Sequence, residues 1–176
     1  MKQEALEVLM NRRAIRAYQS EQVSEELLKT VLEAGIHAPT ARNNQSPVVI
    51  AVQNKEDRDT VARLNAAVMG SQTDPYYGAP TVIVVLGPRA ADYECAPLDA
   101  SAVLTNMLNA AYALGLGSVW IHRAGPVFDS AEGKALLRKW GVEENVVGIC
   151  SMALGYPEGE HPAAKPRKEN YYRIIK

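Results

Sequence analysis

The sequence predicts an α+β fold, with helices and strands mixed in a single domain over residues 1–176. Three observations carry that prediction. Segments with apolar residues three and four apart alternate with short β-branched runs. These elements follow one another without the regular strand–helix–strand rhythm of a doubly wound parallel sheet. A chain of 176 residues, 47% hydrophobic and 22% charged, is also long and apolar enough to bury a core within one domain.

The first helix is expected over residues 3–11, where Leu6, Val8, Leu9 and Met10 are apolar. Residues 24–37 make a stronger one. Ser24 supplies a capping oxygen, Leu27, Leu28, Val31 and Leu32 repeat on one face, and Pro39 ends it. A polar loop, Thr40 to Ser46, leads through Pro47 into the β-branched run Val48–Val52, which reads as a strand. Residues 55–68 read as a helix, followed by a loop punctuated by Gly70, Pro75, Gly78 and Pro80. Thr81–Leu86 is continuously apolar, so this strand should be covered on both faces. Residues 99–114 carry the longest helical pattern, with Val103, Met107, Leu108, Ala111 and Leu114 inward and almost no charge. Gly115 stops it. A strand over 117–122 precedes a helix that Asp129 is expected to cap, with Glu132 in the capping-box position and an end at Trp140-Gly141. Residues 145–154 form a fourth strand. The last apolar piece, Tyr171-Tyr172-Arg173-Ile174-Ile175, suits a strand in this chain's sheet or a partner's.

Bulk properties exclude several classes. A formal charge of −1 argues against general nucleic-acid binding, which needs a basic surface. No run of 18 apolar residues predicts a membrane span, and the opening Met-Lys-Gln-Glu lacks a signal core. The two cysteines, Cys95 and Cys150, do not make a disulfide framework, and the three histidines lack metal-binding spacing. Together these point to a cytoplasmic protein without a structural metal. Cys150 reads as a buried structural thiol inside a strand.

Charge is concentrated locally. Arg12, Arg13 and Arg16 fall within five residues, and Lys165 and Arg167 form a second basic pair near the other end. Guanidinium groups pair with phosphate oxygens two at a time, so the two clusters could close on one phosphate. If the first helix continues, Arg12 and Arg16 share a face; the same residues also suit a solvated basic helix end. The Asn43-Asn44-Gln45 amides can read a heterocycle edge that mixes donors and acceptors, or form a plain polar turn. Gly115-Leu-Gly117 follows a helix and precedes a strand, the reverse of a dinucleotide-binding turn, and lacks the third glycine. His122, at a strand end, reads as a catalytic histidine or, better, as a backbone position beside a ligand. No spacing supports a paired-carboxylate or nucleophilic catalyst.

Six stretches in order resemble the nitroreductase family of flavin enzymes: RRAIR at 12–16, HAPTARNNQSP at 37–47, GAPTVIVV at 78–85, DASAVLTNMLNAAYALGLGSVWI at 99–121, LGYP at 154–157 and KPR at 165–167. The resemblance implies a mostly antiparallel sheet wrapped by helices. It implies an intertwined homodimer with C-terminal strand exchange and flavin mononucleotide (FMN) at the dimer interface. By resemblance, Arg12, Arg13, Ala14 and Arg16 meet the FMN phosphate, ribityl chain and pyrimidine edge, and Lys165 and Arg167 approach the phosphate. Thr40, Asn43 and Gln45 belong to the loop that comes from the partner, and His122, Arg123 and Ala124 present backbone near the reactive edge. The implied activity is hydride transfer from NADH or NADPH, through FMN, to an electron-poor acceptor such as a nitroaromatic or quinone. No side chain is nominated as catalytic, and Tyr76 and Tyr77 are candidates for the acceptor pocket or for the core. An FMN storage or sensor protein, or a specialised flavin reaction such as dehalogenation or flavin fragmentation, uses the same scaffold. Ala14 stands where the family has serine, and Ser46 where it has proline. Residues 65–78 and 123–128 leave no room for the large helical insertion of longer members.

Overall fold

In the computed structural model, which describes residues 2–89, 91–142 and 145–176, the core is organised by a four-stranded sheet. Its strands are β1 (Val48–Val52), β2 (Thr81–Pro88), β3 (Gly117–Ile121) and β4 (Val146–Gly155), in the order β1-β2-β4-β3. All three ladders are antiparallel. Six helices surround them: α1 (Lys2–Asn11), α2 (Glu25–Ile36), α3 (Lys55–Met69), α4 (Ala96–Ala113), α5 (Ala124–Asp129) and α6 (Ala131–Lys139).

Burial of β2 follows its composition. Thr81 through Gly87 are all buried. Successive side chains of a strand point to opposite faces. Val82, Val84 and Leu86 therefore enter a core with Val61 of α3, Phe128 of α5 and Leu136 and Leu137 of α6. Ile83 and Val85 enter a second core with Val31 of α2 and with Val103, Leu104 and Met107 of α4. Each face of the sheet thus has its own helical layer. A register shift between Val85 and Leu86 lets β4 carry one extra residue opposite β2.

The first helix ends at Asn11, as its sequence pattern predicts, and residues 12–17 are not helical. Arg12 and Arg16 therefore do not share a helical face. The reason is tertiary: the Ile15 amide donates to the Ser118 carbonyl of β3, and Ile15 packs where Gly117 leaves room. The short helix α5 has no sequence counterpart, because six residues are too few for a periodic signal. Asp129 closes α5, and Ser130 caps α6, its Oγ accepting the Gly133 amide at 3.0 Å. Tyr76 is core, fully buried on the α3 side.

Two caps behave as expected: Ser24 accepts from the Leu27 amide at the start of α2, and Gly115 adopts a left-handed φ of 75° after α4. Cys150 is buried, and burial pushes its thiol up to about 12. The segment after β4 adds no strand to this chain's sheet. Its one bridge joins Pro157 to Tyr18, and Tyr171, Tyr172, Ile174 and Ile175 are between 74% and 88% exposed.

The backbones of β4 and α5 approach so closely at Gly148 that a Cβ there would meet the Ala124 carbonyl. Gly148→Ala should lower stability by about 1–3 kcal/mol, the usual result of overpacking a close contact. A urea unfolding midpoint equal to wild type would show that this contact yields without strain.

Candidate functional site

The extended run after α1 carries the arginines along the sheet edge beside β3. Hydrogen bonds fix it at both ends, from the Arg12 amide to the Val8 carbonyl and from the Gln19 amide to the Tyr156 carbonyl. Ile15 and Tyr18 turn inward, while Arg12 and Arg13 stay half-buried and Arg16 is exposed. Arg13 donates from Nη1 to the Met10 and Arg12 carbonyls, both at 2.8 Å, which caps the C-terminal end of α1. The Arg16 guanidinium lies 5.9 Å from the centre of the Tyr77 ring, within cation–π range. Tyr77 is 41% exposed and takes a left-handed φ of 57°.

The far end of the chain returns to the same place. Burial, then the charges of Arg13 and Arg167, push the Arg12 guanidinium below its ordinary value. Two of those causes are like charges, one from each end of the sequence. Among the described residues, no carboxylate lies within ion-pair distance of Arg12, Arg13, Arg16, Lys165 or Arg167. Lys165 is exposed on the tail two residues before Arg167. Guanidiniums with no carboxylate among the described residues within ion-pair distance suit an anion with several oxygens.

The corner between β3 and α5 is set by a buried asparagine. Asn65 of α3 has no exposed surface. Its Nδ2 donates to the His122 carbonyl at 3.0 Å and to the Tyr76 hydroxyl at 3.3 Å, and its Oδ1 accepts from Arg123 Nε at 2.9 Å. The Tyr76 hydroxyl lies 3.0 Å from Ser151 Oγ, which donates to the Ile121 carbonyl. Burial holds the Tyr76 phenol above its ordinary value, so it remains a neutral hydrogen-bonding group. With its partners fixed, Arg123 adopts a left-handed φ of 77° and starts α5. His122 is exposed, and His122 and Arg123 border a cleft of about 310 Å³ walled by Pro88, Pro126 and Ile149.

The amide loop lies elsewhere on the chain, between α2 and β1. Thr40 Oγ1 accepts the Gln45 amide at 3.0 Å, and Gln45 Nε2 donates to Asn43 Oδ1 at 3.2 Å. Asn43, Asn44 and Gln45 are exposed. No hydrogen bond among the described residues joins this loop to the arginine cluster. Arg12 thus feels the charges of Arg13 and Arg167, His122 and Arg123 are tied to Asn65, and Thr40, Asn43 and Gln45 are hydrogen-bonded among themselves.

Sequence reasoning missed Asn65, Tyr93 and Asp99. Asn65 sits at a buried position within the α3 pattern, and a polar residue on an apolar face is the signal that could have found it. Among the described residues there is no group of histidines, cysteines and carboxylates able to hold a metal ion, and no helix long and apolar enough to cross a membrane.

Comparison with known proteins gives a consistent result. The sequence model described as "Nitroreductase family" matches residues 9–76 and 71–156. An Archaeoglobus fulgidus relative, provisionally named an NADH dehydrogenase/NAD(P)H nitroreductase, is 34% identical over 160 residues, covering 90% of this chain and 88% of its own. The crystal structure of a nitroreductase with bound FMN from Bacteroides fragilis superposes with a TM-score of 0.89 at 30% identity, covering 98% of this chain and 99% of that one. A nitroreductase with bound FMN from Desulfitobacterium hafniense gives 0.86 at 27% identity, with 98% of each chain covered.

Replacing Asn65 by leucine keeps the branching but not the polar atoms, and takes a partner from the His122 carbonyl and Arg123 Nε. Both bonds are part-buried, so the total loss should be about 1–3 kcal/mol. Urea denaturation reads the change, and a variant as stable as wild type would mean that water replaces the amide at this corner.

Proposed function

The chain belongs to the nitroreductase family, and we propose that it uses FMN to move reducing equivalents from NADH or NADPH to an electron-poor acceptor such as a nitroaromatic or quinone. The observation that carries this reading is the match to FMN-bound nitroreductases over nearly the whole chain, and the charges of Arg13 and Arg167 felt at Arg12, with no carboxylate among the described residues in ion-pair distance, support it. A phosphate monoester near neutral pH carries close to two negative charges and three acceptor oxygens, which such a cluster is suited to hold. The donor set therefore fits FMN at its phosphate end, with Lys165 as a further cation on the same tail.

FMN, when bound, would supply the redox chemistry of a ping-pong scheme between the nicotinamide donor and the acceptor. The protein would bind and orient it. Arg12, Arg13 and Arg167 would hold the phosphate, and Ala14 would serve the ribityl chain through its backbone. Arg16, steadied over Tyr77, puts a fixed cation near the pyrimidine edge, where it favours negative charge. His122, Arg123 and Ala124 offer backbone at the reactive edge, held in place by Asn65. No side chain acts as a general acid; water delivers the protons.

The reading includes a homodimer, with the whole chain acting as one FMN-binding unit. Thr40, Asn43 and Gln45 lie apart from their own chain's arginines, so in this arrangement they serve the FMN of the partner. Two sets of exposed apolar side chains support such an assembly: Leu6, Leu9 and Met10 on α1, and Tyr171, Tyr172, Ile174 and Ile175 on the tail. Exposed apolar surface of this kind marks association.

The purified protein should be yellow or take up FMN at micromolar concentration, and it should elute at twice the chain mass. Anaerobic NADH or NADPH should bleach it within seconds, and a nitroaromatic should restore the colour. A flavin that stays yellow under NADH and NADPH would favour storage or sensing, and a protein that binds no FMN ends the proposal. Arg12→Ala should weaken FMN about ten- to a hundredfold, the loss of one charge-assisted interaction of roughly 1.5–3 kcal/mol. A fluorescence-quenching titration measures it, and an unchanged dissociation constant would remove Arg12 from the phosphate.

A further inference from the structure

We infer that Asp99 is a positioning residue, whose buried carboxylate fixes the 40–46 loop in the one conformation that presents Asn43 and Gln45 for binding. The inference deepens the functional reading above and rests on it where FMN is concerned.

The loop is strained. Arg42, Asn43 and Gln45 have φ values of 55°, 54° and 50°, in the left-handed region that residues with a side chain rarely adopt. Three such residues within four positions, all exposed, have no packing of their own to hold them. Conformations of this kind persist only where surrounding structure over-determines them.

Asp99 supplies that constraint. It lies in the first turn of α4 and is only 4% exposed. Its Oδ1 accepts the Ala41 amide at 2.9 Å, and its Oδ2 accepts the Ser46 hydroxyl at 3.2 Å. Those two residues bracket the strained stretch on either side. Tyr93 adds a third tie: its hydroxyl lies 2.9 Å from Asp99 Oδ2 and 3.2 Å from the Ala41 carbonyl. Donors therefore converge on both carboxylate oxygens. An ionised carboxylate is acceptor-only and suits them all; an asparagine would turn an NH₂ toward one of them. The start of a helix is also where a negative charge is favoured.

A loop already fixed when its ligand arrives does not have to be ordered on binding. If the tie is cut, the competent fraction of loop conformations falls, and the apparent dissociation constant rises in inverse proportion.

The test compares full-length wild type with Tyr93→Phe, which cuts one tie and leaves the Asp99 carboxylate, and with Asp99→Asn. Amide hydrogen exchange at residues 41–46 is followed in FMN-free protein. FMN affinity and the visible absorption bands of bound FMN are measured alongside the unfolding midpoint. The Ala41 and Gln45 amides should exchange about tenfold faster in both variants, and FMN should bind about tenfold more weakly, as expected for a competent fraction near one tenth. The flavin bands should shift, while Tyr93→Phe keeps its unfolding midpoint. Unchanged exchange would refute the tie itself. Faster exchange with unaltered affinity and spectrum would refute its bearing on FMN. A wild type that takes up no FMN sinks the functional reading alone, and the exchange data still decide whether Asp99 holds the loop.

Discussion

Strand β2 is buried along almost its whole length, and the rest of the architecture answers that constraint. A strand apolar on both faces needs a hydrogen-bonded neighbour on each side and a helical layer above and below. Strands β1 and β4 supply the first requirement. Helices α3, α5 and α6 cover the face that receives Val82, Val84 and Leu86, and α2 with α4 covers the face that receives Ile83 and Val85. Polar groups have no place inside either layer unless they are paired, so the chemistry is displaced to the ends and edges of the sheet.

Buried polar side chains reach toward those margins, Asn65 and Asp99 among them. Asn65 rises from α3 and fixes the β3–α5 corner through the His122 carbonyl and the Arg123 side chain. Asp99 rises from α4 and fixes the loop ahead of β1. Both use their hydrogen-bonding capacity on neighbouring segments, and none of the fully buried side-chain nitrogens and oxygens among the described residues lacks a partner. The β3–α5 corner and the 40–46 loop are thus tied to buried helix residues, the loop through its own hydrogen bonds as well.

The arginine cluster follows a different logic. Its backbone is ordered by the sheet edge, through Ile15 and Tyr18, but no ion pair among the described residues compensates its charges. Such repulsion is tolerable because water screens it, and it becomes an asset when an anion arrives. The tail that delivers Arg167 is exposed over nearly its full length, so the meeting of the two ends rests on few contacts within the chain.

Sequence by itself determined the elements whose signal is local. The β2 run, the periodic face of α2, the cap at Ser24, the stop at Gly115 and the buried thiol of Cys150 all follow from residue type and spacing. The clustering of basic residues near the two ends was also legible, because charge can be counted without a fold. Tertiary structure alone decided the path of residues 12–17, since the Ser118 carbonyl at the edge of β3 outweighs continuation of α1. It decided which of Tyr76 and Tyr77 is core, which residue caps α6, and that a helix as short as α5 forms at all. Tertiary structure also chose Asn65 and Asp99 as anchors. Their partners lie up to 58 residues away, and a hydrogen bond over that separation leaves no periodicity in the sequence.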